Sequence, residues 1–210
     1  MSLLNFIKNN LFIQNFFATF ISKIPPYLEF SVGKYLAIKK AMYISAHDKT
    51  KGSYLEFGVF TGSSFNFAMK INKGIDKLLG HSDCNFIGFD SFEGFGLIKE
   101  EDKHPMFKDN TFAVNKKKVI SNIKKCSKGQ DYQIIEGFFE QTLNNNSPSE
   151  YKIKKARVVM IDCDMKEPTT LALNFIKNTL QVGTIILFDD YIFYNGDEKK
   201  GEYSAFEEFK

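Results

Sequence analysis

The residues best equipped for chemistry lie late in the chain, in Asp162-Cys163-Asp164 and Asp189-Asp190-Tyr191. Each cluster closes a short apolar run of the kind that forms a buried strand. If those strands are sheet neighbours, their carboxylates meet at one rim. Like charges packed together raise one another's pKa and cost free energy unless a cation or hydrogen-bond donors compensate. A hard divalent ion such as Mg²⁺, bound through oxygen, is the matching partner. The structural alternative is that one or two of these aspartates cap the helices that follow.

A second group begins with Glu56-x-Gly58-x-x-x-Gly62, followed by Ser63 and Ser64, at the end of an earlier apolar run and before a helical pattern. Open α/β sheets bind ligands at their carboxyl edge, and glycines there let backbone approach a ligand closely. The next apolar run ends in Gly88-Phe89-Asp90-Ser91. An acidic side chain at that place accepts hydrogen bonds from the ribose hydroxyls of a nucleoside. Further on, the glycine and aromatics of Glu136-Gly137-Phe138-Phe139 either close over an adenine ring or pack in the core. The pattern lacks G-x-G-x-x-G, whose close glycines suit a pyrophosphate, and this weakens the rival reading of a nicotinamide-dependent oxidoreductase. His104, before Pro105, is either a second base or an exposed loop histidine.

These residues need elements to hold them. From Ser53 onward, short apolar runs alternate with longer amphipathic segments, the signature of an α/β fold with a Rossmann-like, doubly wound, mainly parallel sheet. Strands are predicted at residues 54–59, 85–90, 132–136, 157–162 and 183–189, and helices near 63–73, 114–128, 138–144 and 168–180. Residues 97–111 read as a lid-like loop, and 144–149 as a polar one. Residues 1–50 form a helical extension before the 51–210 domain. In it, Leu4, Ile7, Leu11, Phe12, Phe16, Phe17 and Phe20 recur at helical steps, Pro25-Pro26 stops the first helix, and a second is expected at 28–46.

Composition excludes several classes. With 28 basic and 25 acidic residues, the net charge of +3 gives no footprint for nucleic acid. Cys84, Cys126 and Cys163 are odd in number and show no C-x-x-C pairing, which argues against a disulfide framework or thiolate zinc site and for a reducing, cytoplasmic setting. His47, His81 and His104 have no metal-binding spacing. Asn9, Asn10, Gln14 and Asn15 interrupt the N-terminal apolar pattern, so no run of about 18 apolar residues spans a bilayer. The Phe-rich helix is expected to pack on the domain or on another copy in a homo-oligomer, with membrane-surface contact as the lesser alternative.

The ordered set Leu55 to Ser64, Asp90-Ser91-Phe92-Glu93-Gly94, Glu136-Gly137-Phe138-Phe139 with Thr142-Leu143, Asp162-Cys163-Asp164-Met165 and Asp189-Asp190-Tyr191 resembles the macrocin O-methyltransferase (TylF-type) family, from about residue 50 onward. The resemblance implies an S-adenosylmethionine-dependent, Mg²⁺-assisted transfer of a methyl group to a sugar hydroxyl of a small molecule or glycan. It implies that Asp162, Asp189 and Asp190 coordinate the metal and that Asp162 assists deprotonation. It also implies that Glu56, Gly58, Gly62, Ser63, Ser64, Asp90, Ser91, Gly137 and Phe138 line the cofactor site, on a sheet ordered 3-2-1-4-5. Phe60 stands at the middle place of the turn, where the generic methyltransferase loop carries a glycine, and the chain departs from the family pattern at Cys163, where glycine commonly separates the two aspartates, and at Lys166, where tyrosine is common. The sequence stops in a helical pattern at Glu207 to Lys210, without the last two strands that class I methyltransferases usually carry. An inactive or truncated methyltransferase-like domain is therefore the alternative expectation.

Overall fold

Strand β1 (Ser53–Phe57) is buried along its whole length and forms the centre of a five-stranded sheet. This is the architecture in the computed structural model of the chain, which describes residues 10–80, 84–105, 107–108 and 111–210. The expectations at Leu4, Ile7, Asn9 and His81 lie outside the described residues. β2 (Phe86–Asp90), β3 (Tyr132–Glu136), β4 (Ala156–Ile161) and β5 (Ile185–Phe188) complete a sheet ordered β3-β2-β1-β4-β5, as the resemblance implied. Every pairing is parallel, so all five carboxyl ends reach the same edge.

The chain divides into two compact units, residues 1–36 and 37–210. In the first, helix α1 (Leu11–Ile21) is opened by Asn10, whose side chain accepts the Ile13 N–H at 3.2 Å. None of its residues is buried, and Phe12 is 80% exposed. Helix α2 (Pro26–His47) begins at the second proline instead of at Leu28, because a proline in the first turn lacks only a donor that would have no helical partner. In the second unit, the last turns of α2 bury Ile38, Ala41, Met42 and Ala46 in the same cluster as Tyr54 and Val158. Arg157, buried on β4, donates to Ser45 Oγ at 2.8 Å and to the Met42 carbonyl at 3.3 Å.

Strand alternation divides the core between two faces. Tyr54, Phe86, Val158 and Met160 pack with α3 (Ser63–Leu79) and α4 (Lys116–Ser127). Leu55, Phe57, Ile87, Phe89, Val159 and Ile161 pack with α6 (Lys166–Ile176) and α7 (Gly201–Phe209), and the short α5 (Phe139–Thr142) lies between β3 and β4 in the chain. α3 runs beyond the expected residue 73 because Ile75 extends its buried face and Gly80, at φ +73°, supplies the left-handed stop. α6 starts two residues before Pro168, which still falls in the first turn. No helix among the described residues is long and apolar enough to cross a membrane.

Candidate active site

The glycine turn after β1 is folded by backbone that only glycine adopts without strain. Gly58 has φ +91°, and a Cβ placed there would lie 2.0 Å from the Asp162 carbonyl oxygen. Phe60, at the middle place of the turn, keeps a glycine-like φ of +49°. A left-handed conformation costs an L residue about 1–2 kcal/mol. The edge of the Phe60 ring packs on Phe112 at 5.4 Å, and Phe112 in turn sits 5.0 Å from Phe95. Gly62, at φ +77°, opens α3 and leaves the first helical amides facing the turn.

Asp90 holds this turn to the end of β2. Its Oδ2 accepts the N–H groups of Val59 and Phe60 at 2.7 and 2.6 Å, and its Oδ1 accepts that of Phe92 at 2.6 Å. A carboxylate has about four lone-pair sites, so these three bonds leave acceptor capacity on Oδ1. Glu56 lies beneath, fully buried, with Oε2 accepting the Tyr54 hydroxyl at 2.5 Å and Oε1 the Ser64 hydroxyl at 2.7 Å. Tyr54 and Glu56 share a face because they are two residues apart on a strand. Ser63 is exposed in the first turn of α3. Ser91 turns into the following loop, its Oγ donating to the Gly94 carbonyl at 3.2 Å and accepting the Glu93 N–H at 3.1 Å. Gly137 continues β3 past its end with N–H donated to the Asp90 carbonyl at 3.1 Å. The two aromatics after it part company: Phe139 packs edge-on to Phe57 in the core, whereas half-buried Phe138 adjoins Gly96.

At the ends of β4 and β5, the carboxylates of Asp162, Asp164 and Asp190 each bring an oxygen within 4.8 Å of the others. Asp162 and Asp164 lie just past the end of β4, in a tight turn with Met165 N–H to Cys163 O at 2.6 Å and Asp164 at φ +62°. Asp189, the third member of the expected ligand set, is not in this group. It directly follows β5 and precedes Asp190, and its N–H donates to the Ile161 carbonyl at 3.0 Å. Burial, then the Asp190 and Asp162 charges, push the Asp164 carboxyl well above the usual carboxylate range. Like charges this close repel by roughly 1–4 kcal/mol per pair, depending on how much water screens them.

Two buried acids with no motif in the sequence to mark them support this edge. Glu202, at the start of α7, accepts the Cys163 N–H on Oε1 and the Asp190 N–H on Oε2, both at 3.1 Å. Its carboxyl is raised by burial first and by Asp190 next. Asp102 reaches from the loop after β2 to cap α6, accepting the Lys166 N–H at 3.1 Å, while its carbonyl accepts the Tyr194 hydroxyl at 2.7 Å. His104, in the same loop, is packed against the rings of Phe107, Phe193 and Tyr194 at 5.1–5.5 Å. Burial pushes the Cys84 thiol up to about 11 and moves Cys163 in the same direction, so neither provides a thiolate nucleophile at neutral pH.

No curated protein matches the chain by sequence. Among solved structures, the calicheamicin methyltransferase CalS11 superposes with a TM-score of 0.69 at 19% identity, covering 99% of this chain and 88% of that one. The O-methyltransferase NovP superposes with a TM-score of 0.63 at 19% identity, covering 83% and 69%. An apo structure of CalS11, described as a TDP-rhamnose 3'-O-methyltransferase, gives 0.61 at 17% identity over 99% and 82%. These likenesses establish the methyltransferase fold. The macrocin-O-methyltransferase (TylF) family model matches residues 34–209, which takes in the whole sheet, the glycine turn and every acid described above. The chain therefore belongs to the macrocin-O-methyltransferase (TylF) family and is an S-adenosylmethionine-dependent O-methyltransferase.

Proposed function

We propose that this enzyme methylates a hydroxyl of a sugar or of a glycosylated small molecule, with Mg²⁺ held by Asp162, Asp164 and Asp190. The observation that carries the reading is the meeting of two groups at one sheet edge. The Asp90-held turn and the acidic cluster touch at Gly58, whose neighbouring strand end is Asp162. Three carboxylates are a hard, anionic oxygen donor set of the kind that suits Mg²⁺. When bound, the metal supplies a Lewis acid and S-adenosylmethionine the methyl group.

The chain's own residues do the rest. The open acceptor site on Asp90 Oδ1 suits a ribose hydroxyl, and the amides of Ser63 and Ser64 at the start of α3 favour a carboxylate. Gly58 and Gly62 shape the turn, Glu56 holds Ser64, Ser91 shapes the loop after β2, and Gly137 with Phe138 borders the base. Asp162 takes the proton from the acceptor hydroxyl, a general-base role worth roughly 10²–10⁴ in rate. A sugar acceptor draws support from the family and from the neighbour described as acting on TDP-rhamnose. A cytoplasmic setting fits the free buried thiols of Cys84 and Cys163, and the exposed Phe12, Phe16, Phe17 and Phe20 of α1 support association of copies through the N-terminal helices.

The test is methyl transfer from labelled S-adenosylmethionine to a panel of nucleotide-linked and aglycone-linked sugars, with and without chelator. Turnover is expected to fall at least a hundredfold in excess EDTA and to return with Mg²⁺; full activity in EDTA removes the metal from the mechanism. In calorimetry, S-adenosylhomocysteine should bind and NAD should not. Asp90→Ala should weaken S-adenosylhomocysteine about 30-fold or more, because it releases three backbone amides as well as the ribose acceptor. Wild-type affinity in that variant would place the ribose elsewhere.

A further inference from the structure

We propose that Glu202 is a positioning residue that sets the spacing of the acidic cluster by tying the end of β4 to the end of β5. The inference rests on the reading of Asp162, Asp164 and Asp190 as the metal-holding group. Paired residues of the β4–β5 ladder end at Ile161 and Phe188, and one further bond, from Asp189 N–H to the Ile161 carbonyl, follows. Beyond that point the two chains turn apart, Cys163 into the tight turn before α6 and Asp190 into the turn closed by Phe193 N–H to Asp190 O at 3.0 Å.

The Glu202 carboxylate joins the two segments there. It binds one amide from each segment at equal distance, and each bonded amide belongs to the cluster or flanks it: Cys163 lies between Asp162 and Asp164, and Asp190 is itself a member. The side chain is fully buried, and Gly201, at φ +61°, lets α7 begin so close to Tyr194 that a Cβ would lie 2.7 Å from its ring. A fourth carboxylate beside three others is electrostatically unfavourable, and an apolar side chain would fill the space at lower cost. Holding two backbone donors at a fixed separation is what a carboxylate provides there and an apolar side chain does not.

The experiment uses the full chain and Mn²⁺ alone as probe, titrated by electron paramagnetic resonance, with S-adenosylhomocysteine affinity and Tm measured in parallel. Glu202→Gln keeps the shape but turns an NH₂ group toward one of the two amides. It should weaken Mn²⁺ binding about 10–100-fold, the range typical of residues that orient metal ligands, and leave S-adenosylhomocysteine within twofold. Glu202→Asp, with both acceptors but a shorter reach, should fall between. Wild-type Mn²⁺ affinity in Glu202→Gln overturns the inference alone, whereas a wild-type chain that binds no Mn²⁺ overturns the metal reading beneath it. Should Glu202→Gln fail to fold, amide exchange in the wild type decides: the Cys163 and Asp190 amides must be protected like those of the sheet, and rapid exchange at either refutes the bridge.

Discussion

Asp162→Asn is expected to lower kcat by about a thousandfold or more while S-adenosylhomocysteine affinity stays within threefold and Tm does not fall. The three readouts separate chemistry from structure. Asparagine keeps the volume and the backbone bond from residue 162 to the Phe57 carbonyl, at 2.9 Å, so the end of β4 stays in place. It removes the proposed base, worth roughly 10²–10⁴, and weakens one anionic contact to the metal at the same time. It also removes one carboxylate from a group whose oxygens lie within 4.8 Å of one another and in which Asp164 is already pushed toward its neutral form. Less crowding of acids offsets what the substitution costs elsewhere, so Tm should hold. A variant with lower Tm and parallel loss of cofactor affinity would make Asp162 a structural residue.

The sequence carried the parts of this site that depend on local pattern. The apolar run before Gly58 is a strand because it is short, buried and bounded by glycine, and Asp90 follows one βα unit later; both therefore had predictable places at the sheet edge. What Asp90 does there was less legible. Residue type suggested a ribose acceptor, whereas the fold also gives its carboxylate three backbone amides. The cluster shows the same division. Four aspartates at two strand ends were visible, but which three converge depends on the turns that follow the strands, with Asp164 at φ +62°, and such turns are not encoded in residue type. Phe60 conceals its left-handed backbone behind a bulky side chain whose strain is offset by packing on Phe112. Glu202 lies 39 positions from the amide it binds on Cys163, and in sequence it looks like any glutamate in the first turn of a helix.

Gly58→Ala is expected to do more damage than its single methyl group suggests, because it strikes the point where the cofactor turn and the acidic cluster meet. An alanine must hold φ +91°, outside the regions open to L residues, at about 1–3 kcal/mol. Its Cβ must also displace the Asp162 carbonyl from 2.0 Å, and the neighbour is backbone, which cannot swing aside. Together these place the loss near about 4 kcal/mol, in the range reserved for strained or overpacked sites, and Tm should drop by about 8–16 °C. S-adenosylhomocysteine binding should be lost in the fraction that folds, since the turn held by Asp90 has to move. Gly74→Ala provides the contrast: Gly74 lies inside α3 with nothing within 4 Å of the place its Cβ would occupy, so alanine there should raise Tm by about 1–4 °C through helix propensity alone. A Gly58→Ala protein with wild-type Tm and cofactor affinity would mean that β1 and β4 do not approach as closely as the structure places them, and the shared edge on which the catalytic reading depends would be lost.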